Sequence, residues 1–150
     1  MTKQDYVTPP EFIRAVEARF GALTFDLAAT AQTARCARFF TPEQDSLVQD
    51  WRECGDGWLW LNPPFKRVVK WEEKCAAEMR RGARILNLTL ASVGAAWFQT
   101  QVVPNAHVVE LFPRIPFVGM DQGFNKDLTL NVFAHGLTGR SFWNWKKGAA

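Results

Sequence analysis

The sequence has few of the residues that mark metal or disulfide chemistry. It carries only three cysteines, Cys36, Cys54 and Cys75. Their number is odd and their spacing lacks any short metal-ligand pair, so reduced thiols are the simplest account. There is no run of about 18 apolar residues, which excludes a membrane-spanning helix. Met1 leads into Thr-Lys-Gln-Asp rather than an apolar stretch, so no secretory signal is expected, and the reading is a cytoplasmic protein. No internal repeat and no low-complexity tract interrupts the 150 residues, which are expected to form one domain, 1–150.

The composition is that of a globular chain. Hydrophobic residues make up 47% and charged residues 22%, which excludes a disordered or membrane-like protein. Seven Trp and twelve Phe are too many for a core this small to hide completely, so some are expected to line a site. The net charge of +3 is compatible with a polyanionic partner.

Local patterns outline alternating strands and helices. Thr8-Pro9-Pro10-Glu11 reads as a helix start, with Thr8 as N-cap, Pro9 at the first helical position and Glu11 completing a capping box. Phe12, Val16 and Phe20 then share a face, and Gly21 ends the helix. Leu23 to Leu27 reads as a short strand. Trp58 to Leu61 is a continuous apolar run between Gly57 and Pro63, as expected of a strand buried on both faces. Val68, Trp71, Cys75 and Met79 share a helical face that Gly82 terminates, with Trp71 and Met79 read as core. Ile85 to Leu90 is the next strand, and Ser92 is expected to cap a helix carrying Trp97 and Phe98. Val108 to Phe112 and Leu128 to Phe133 read as strands joined by a surface loop, Pro113 to Asp127. Phe142 to Trp145 reads as a final edge strand. This alternation predicts parallel βαβ units, with an antiparallel hairpin closing the sheet at the C-terminal end. In an open α/β sheet ligands sit beyond the carboxyl ends of the strands, where Asp26, Asn62 and Ser92 fall. His107 and His135 lie at strand positions and read as structural.

The most informative feature is Asn62-Pro63-Pro64-Phe65, directly after that apolar run. Proline lacks the ladder donor and cannot continue a central strand. Carbonyls beside it are left to accept hydrogen bonds from elsewhere. One carboxamide oxygen, a backbone carbonyl and a flat ring suit a planar exocyclic amine, with two acceptors for its protons and a face for its ring. This tetrapeptide resembles the amine-binding motif of DNA and protein amino-methyltransferases.

The chain as a whole resembles the small phage-encoded DNA adenine-N6 methyltransferases. The resemblance runs through Tyr6-Val7-Thr8-Pro9, Phe25-Asp26-Leu27-Ala28-Ala29, Phe39-Phe40-Thr41-Pro42-Glu43, Asp45-Ser46-Leu47 with Asp50-Trp51, and Leu61-Asn62-Pro63-Pro64-Phe65. It implies a Rossmann-like class I methyltransferase fold, α/β, with a mostly parallel sheet, helices on both faces and a C-terminal antiparallel hairpin. It also implies S-adenosylmethionine as methyl donor and adenine in DNA as acceptor, in a bacterial host cell.

The same resemblance assigns expected roles. Asn62, Pro63, Pro64 and Phe65 would hold the target amine, with Phe65 stacking on a base drawn out of the duplex. Tyr6, Thr8 and Pro9 would meet the methionine end of the donor, Asp26 its ammonium group, and Ala28 would let it approach. Asp45 and Leu47 would hold its adenine, with Glu43 a candidate for the ribose. Here the sequence departs from the wider methyltransferase pattern, because no Gly-x-Gly follows the first strand. Lys66, Arg67, Arg114 and Lys126 are candidate DNA contacts, as are Arg140, Lys146 and Lys147. Two alternatives stay open. The same motif would fit another planar amine (cytosine N4, RNA or a Gln side chain), and the missing glycines would suit a catalytically silent nucleic-acid-binding module.

Overall fold

A computed structural model describes residues 7–117 and 126–147. Two helices, α1 (Pro10–Phe20) and α2 (Val68–Arg80), flank six strands: β1 (Leu23–Asp26), β2 (Trp58–Leu61), β3 (Arg84–Leu90), β4 (His107–Phe112), β5 (Leu128–Phe133) and β6 (Arg140–Asn144). The spatial order is β1-β2-β3-β5-β4-β6. β1, β2 and β3 run parallel, β5 pairs antiparallel with both β3 and β4, and β6 is parallel to β4. Only β5 runs against the rest. The expected mostly parallel α/β sheet is therefore present. The antiparallel pair does not close it, because β5 is inserted inside the sheet and β6 forms that edge.

Period-two alternation assigns the two faces. Trp58 and Trp60 of β2 and Leu86 and Leu88 of β3 pack with Phe12, Ile13 and Val16 of α1. Leu59, Leu61 and Ile85 point the other way, against Trp71, Cys75 and Met79 of α2. Helices thus cover both faces. α2 ends in a Schellman motif: the amide of Gly82, at φ 103°, donates to the Met79 carbonyl at 2.9 Å, and that of Ala83 to the Glu78 carbonyl at 3.0 Å.

Three local expectations are corrected. The cap of α1 is Pro9, with no side-chain hydrogen bond, and Pro10 takes the first helical position, so Thr8 is not the N-cap. A reciprocal arrangement of that type stands instead at Thr41, whose backbone N–H donates to Gln44 Oε1 at 2.8 Å. Ser92 accepts from the Ala95 amide through its backbone carbonyl, not its side chain, ahead of a π-helical turn at Phe98–Val102. The segment after β4 is not purely superficial either, since Ile115 and Phe117 are buried in the α1-side core.

Between the sheet and α2 lies a polar group that the strand pattern does not announce. Asn87 faces Asn131, and Thr89 faces Thr129, as register partners on β3 and β5. Asn131 Nδ2 donates to Asn87 Oδ1 at 2.8 Å and to Thr89 Oγ1 at 2.9 Å, and Thr129 Oγ1 donates to Asn131 Oδ1 at 2.8 Å. Asn87 Nδ2 donates in turn to Glu72 Oε2 of α2 at 3.1 Å. Glu72 is fully buried, and its Oε1 has no partner among the described residues. Burial pushes its carboxyl up to about 8, against the opposing pull of Asn87.

The folded state therefore holds this proton where the unfolded chain releases it, from an ordinary value of 4.5 up to about 8. Stability falls as pH rises through that window, at up to about 1.4 kcal/mol per pH unit. Glu72→Gln, which mimics the protonated acid, removes this component. Urea unfolding at pH 5 and pH 8 is expected to show similar stability for the two proteins at the lower pH and a more stable variant at the higher. Equal slopes in both would refute the assignment.

Candidate active site

The carboxyl ends of β1 and β2 open into a cavity of about 630 Å³, lined by Thr8, Asp26, Ala28, Asp45, Leu47 and Asn62 among others. These side chains come from four separated stretches of sequence, and the sheet gathers them. β2 stops after Leu61 because Pro63 and Pro64 follow and cannot donate to a ladder, and Asn62, just past its end, lines the cavity. Asn62 Nδ2 donates to Thr8 Oγ1 at 3.0 Å. The tetrapeptide stands between two hollows. Asn62 and Pro64 face the large cavity, while Pro63 and Phe65 face a crevice of about 90 Å³ shared with Val68, Thr89, Ser92 and Trp97.

Asp26 shapes the turn that replaces a glycine-rich loop. Its Oδ1 accepts from the Ala28 amide at 3.2 Å and its Oδ2 from the Arg35 amide at 2.9 Å. One buried carboxylate thus gathers the two ends of the segment 28–35. Burial raises its carboxyl from 3.8 to about 6, opposed by the amides of Arg35 and Ala28. Among the described residues no full strand lies beyond β1: Asp26 bridges to Phe39, and the Phe40 amide donates to the Asp26 carbonyl at 3.0 Å. The far wall is then built of single turns, Pro42–Gln44 and Ser46–Val48.

Two non-glycine residues have positive φ among those described, Asp45 at 50° and Arg67 at 66°, and both line this cavity. Strained backbone of this type persists where the surroundings enforce it and clusters at functional sites. Lys66 and Arg67 are exposed on the cavity's lining.

The other expected residues are distributed as follows. Tyr6 lies outside the described residues. Pro9 is buried as the cap of α1 and is absent from the cavity wall. Glu43 is exposed on its turn and does not line the cavity, which argues against a ribose contact. Arg114 and Lys126 are also outside the wall, with Arg114 Nε on Asp127 Oδ1 at 3.0 Å. Arg140 pairs with Glu110 at 2.8 Å. His107 is structural, bonded at 2.9 Å to both the Thr138 carbonyl and Ser141 Oγ.

The sequence reading passed over Thr30, Thr33, Arg35, Phe40 and Trp60, all on the cavity wall. Trp60 could have been found, since period two puts it on the same side of β2 as Asn62. The loop residues carry no comparable signal, because they reach the wall through the backbone bonds of Asp26.

The chain is similar in sequence to two phage proteins. Over 99 residues the chain is 32% identical to a DNA N-6-adenine-methyltransferase of Escherichia phage T1, covering 66% of this chain and 40% of that protein. Over 104 residues it is 24% identical to the protein of the same description from Haemophilus phage HP1, covering 68% of this chain and 58% of that one. The chain thus spans about half the length of the curated relatives it matches. A crystal structure of a predicted O-methyltransferase from Agrobacterium tumefaciens aligns over 85% of this chain and 83% of its own, with TM-score 0.43 and 15% identity. The sequence pattern of the DNA N-6-adenine-methyltransferase (Dam) family matches residues 1–132, nearly the whole chain, and the chain belongs to that family.

Proposed function

We propose that the chain transfers a methyl group from S-adenosylmethionine to the N6 amine of adenine in DNA, within the host cell cytoplasm. The observation that carries this reading is the Asn62 carboxamide on the cavity wall, held through its nitrogen so that its oxygen remains for an amine.

The cavity's residues fit the donor. Its volume of about 630 Å³ lies within the roughly 300–1,000 Å³ of small-molecule sites. Asp26 offers a buried carboxylate for an ammonium group, and Ala28 beside it is small. Asp45 and Leu47 offer an acceptor and an apolar face for a purine at the other end. The positive end of the α1 dipole lies beside this wall, just after Thr8, and its field favours a carboxylate, while the Thr8 side chain is engaged with Asn62. When bound, S-adenosylmethionine supplies a methyl group made electrophilic by its sulfonium.

The chain's own residues have a different task. Adenine's exocyclic amine is a weak nucleophile because its lone pair is delocalised into the ring. Asn62 Oδ1 and the Pro63 carbonyl each accept one amine proton, which draws the nitrogen toward a tetrahedral shape and localises the pair. Phe65 stacks on the base after it leaves the duplex, and Pro64 fixes the turn between them. Asn62 Oδ1 and the Pro63 carbonyl thereby hold the amine with its pair aimed at where the donor's methyl group would lie, and the surplus amine proton would pass to water. Lys66 and Arg67 meet the phosphates flanking the extruded base, with Arg114 and Lys126 as outlying contacts.

The test is product analysis. Plasmid DNA incubated with the chain and labelled donor, then digested to nucleosides, is expected to yield N6-methyldeoxyadenosine. Label in N4-methyldeoxycytidine would reassign the acceptor. No labelled nucleoside would leave a silent DNA-binding module.

A further inference from the structure

We propose that Thr8 is a positioning residue for Asn62: its hydroxyl holds the carboxamide by the nitrogen, and this sets which end of the amide meets the substrate amine. The inference rests on the methyltransferase reading above and deepens it.

A carboxamide has two ends of nearly equal shape and opposite hydrogen-bonding sense. Only one orientation is useful at this position. The substrate amine offers two protons, so it needs the oxygen; the amide nitrogen in that place would set donor against donor. Asn62 is only partly buried and sits on the wall of a cavity open to water, so burial alone does not choose the orientation. The described contact that holds the side chain is the Nδ2–Thr8 Oγ1 bond of 3.0 Å; a hydroxyl can accept or donate, and accepting here it leaves Oδ1 to the cavity.

Thr8 is built to make that contact reliably. It is 3% exposed, so water competes poorly for its hydroxyl. The hydroxyl is not spent on capping α1, since Pro9 is the cap of that helix and no side-chain bond is made there. The two prolines that follow fix their own φ and bias Thr8 to an extended backbone. The Pro9 carbonyl accepts from the amides of Phe12 and Ile13 at 3.1 and 3.3 Å, and both side chains are anchored in the core. A rigid helix entry therefore holds the hydroxyl against an amide at the end of β2.

Without that acceptor, the Asn62 nitrogen is left beside an apolar group and turns toward the hydrated cavity. The oxygen then faces away from the amine. Thr8→Val keeps the shape of the wall and removes the hydroxyl; Thr8→Ser keeps the hydroxyl.

The experiment compares wild type, Thr8→Val, Thr8→Ser, Asn62→Ala and the Thr8→Val/Asn62→Ala double variant, by rate of label transfer to adenine-containing DNA and by calorimetric affinity for S-adenosylhomocysteine. Thr8→Val is expected to lower kcat by about tenfold to a hundredfold, with S-adenosylhomocysteine affinity within about twofold, since only the placement of the amide is lost. Thr8→Ser recovers most of that loss, and adding Thr8→Val to Asn62→Ala costs nothing further. A wild-type rate in Thr8→Val overturns the proposal, as does a fall in affinity that matches the fall in rate, or losses that multiply in the double variant. Thr8→Ala removes the same hydroxyl should Thr8→Val fail to fold. The contact is also read without turnover. The Asn62 carboxamide proton pair, identified by its loss in Asn62→Ala, shifts in Thr8→Val and returns in Thr8→Ser; unchanged signals overturn the proposal. A wild type that binds DNA but transfers no label would defeat the methyltransferase reading, while these signals would still report the contact.

Discussion

Alanine at position 62 is expected to lower methyl transfer by about 10²- to 10³-fold while leaving the donor's affinity nearly unchanged. The magnitude follows from the class of interaction. A fixed polar group aimed at a reacting atom is already oriented before the reaction begins, and removing one such group from an active site costs rates of this order. Asn62 is fixed at both ends of its short side chain. Its backbone closes β2 ahead of two prolines, and its nitrogen is bonded to Thr8 at 3.0 Å. Alanine leaves the strand, the prolines and Phe65 in place, so the base still stacks, but the amine keeps its planar, delocalised pair. The cavity wall that would hold the donor is made mostly by the segments after β1 and before Trp51, which Asn62 does not support. Single-turnover rates on DNA, beside calorimetry with S-adenosylhomocysteine, separate the two effects. A rate within a fewfold of wild type would remove the carboxamide from the chemistry.

The largest expected loss of stability is at Glu78. Its side chain lies on α2 yet is 2% exposed, and Trp51, Lys74 and Arg81 all donate to it. Oε2 accepts the Trp51 amide at 2.9 Å and pairs with Lys74 at 3.1 Å, and Oε1 accepts from Arg81 at 2.6 Å. Burial would raise this carboxyl, but the Trp51 amide and the two cations outweigh it and hold it below the usual carboxylate range. Its stabilising contribution is therefore complete above an ordinary Glu value and is lost as pH falls through the lowered one. Glu78→Ala strands the Trp51 amide and leaves the mostly buried Lys74 ammonium with the Gln49 carbonyl and the Trp51 ring but no carboxylate. Breaking a buried charged group away from its partners costs about 3–5 kcal/mol. Urea unfolding followed by tryptophan fluorescence at pH 7 measures it. A loss below about 1 kcal/mol would mean that water replaces the carboxylate.

Much of this architecture is written in local pattern. Trp58–Leu61 and Leu128–Phe133 emerge at their sequence-read bounds because each is a compact apolar or β-branched run between punctuating residues. Gly82 stops α2 because only a residue at ease with positive φ completes the turn. Where reading failed, a long-range contact had overruled a local one. Thr8 carries the signature of a cap, but two prolines carry the helix start past it and its hydroxyl goes to Asn62, far along the chain. The position of β5 inside the sheet was likewise unreadable, since strand order depends on pairing partners and a strand–loop–strand pattern fits an edge hairpin equally well. The site divided along the same line. Asn62, Asp26 and Asp45 stand at element ends, where chain pattern points, and the cavity includes all three. Arg35 and Thr33 reach it only through the turn that Asp26 folds, and no spacing rule marks them.

Among the described residues β1 has no full strand on its outer side. Where a longer sheet would put a rigid rib, this chain has a single bridge at Phe39 and then separate turns, each closed by its own backbone bonds. A change to Leu47 or Thr41 is absorbed within one turn instead of travelling through a ladder. That side of the hollow is the place to remodel when a bulkier donor is to be seated, because it can be recut without disturbing the scaffold that carries Asn62.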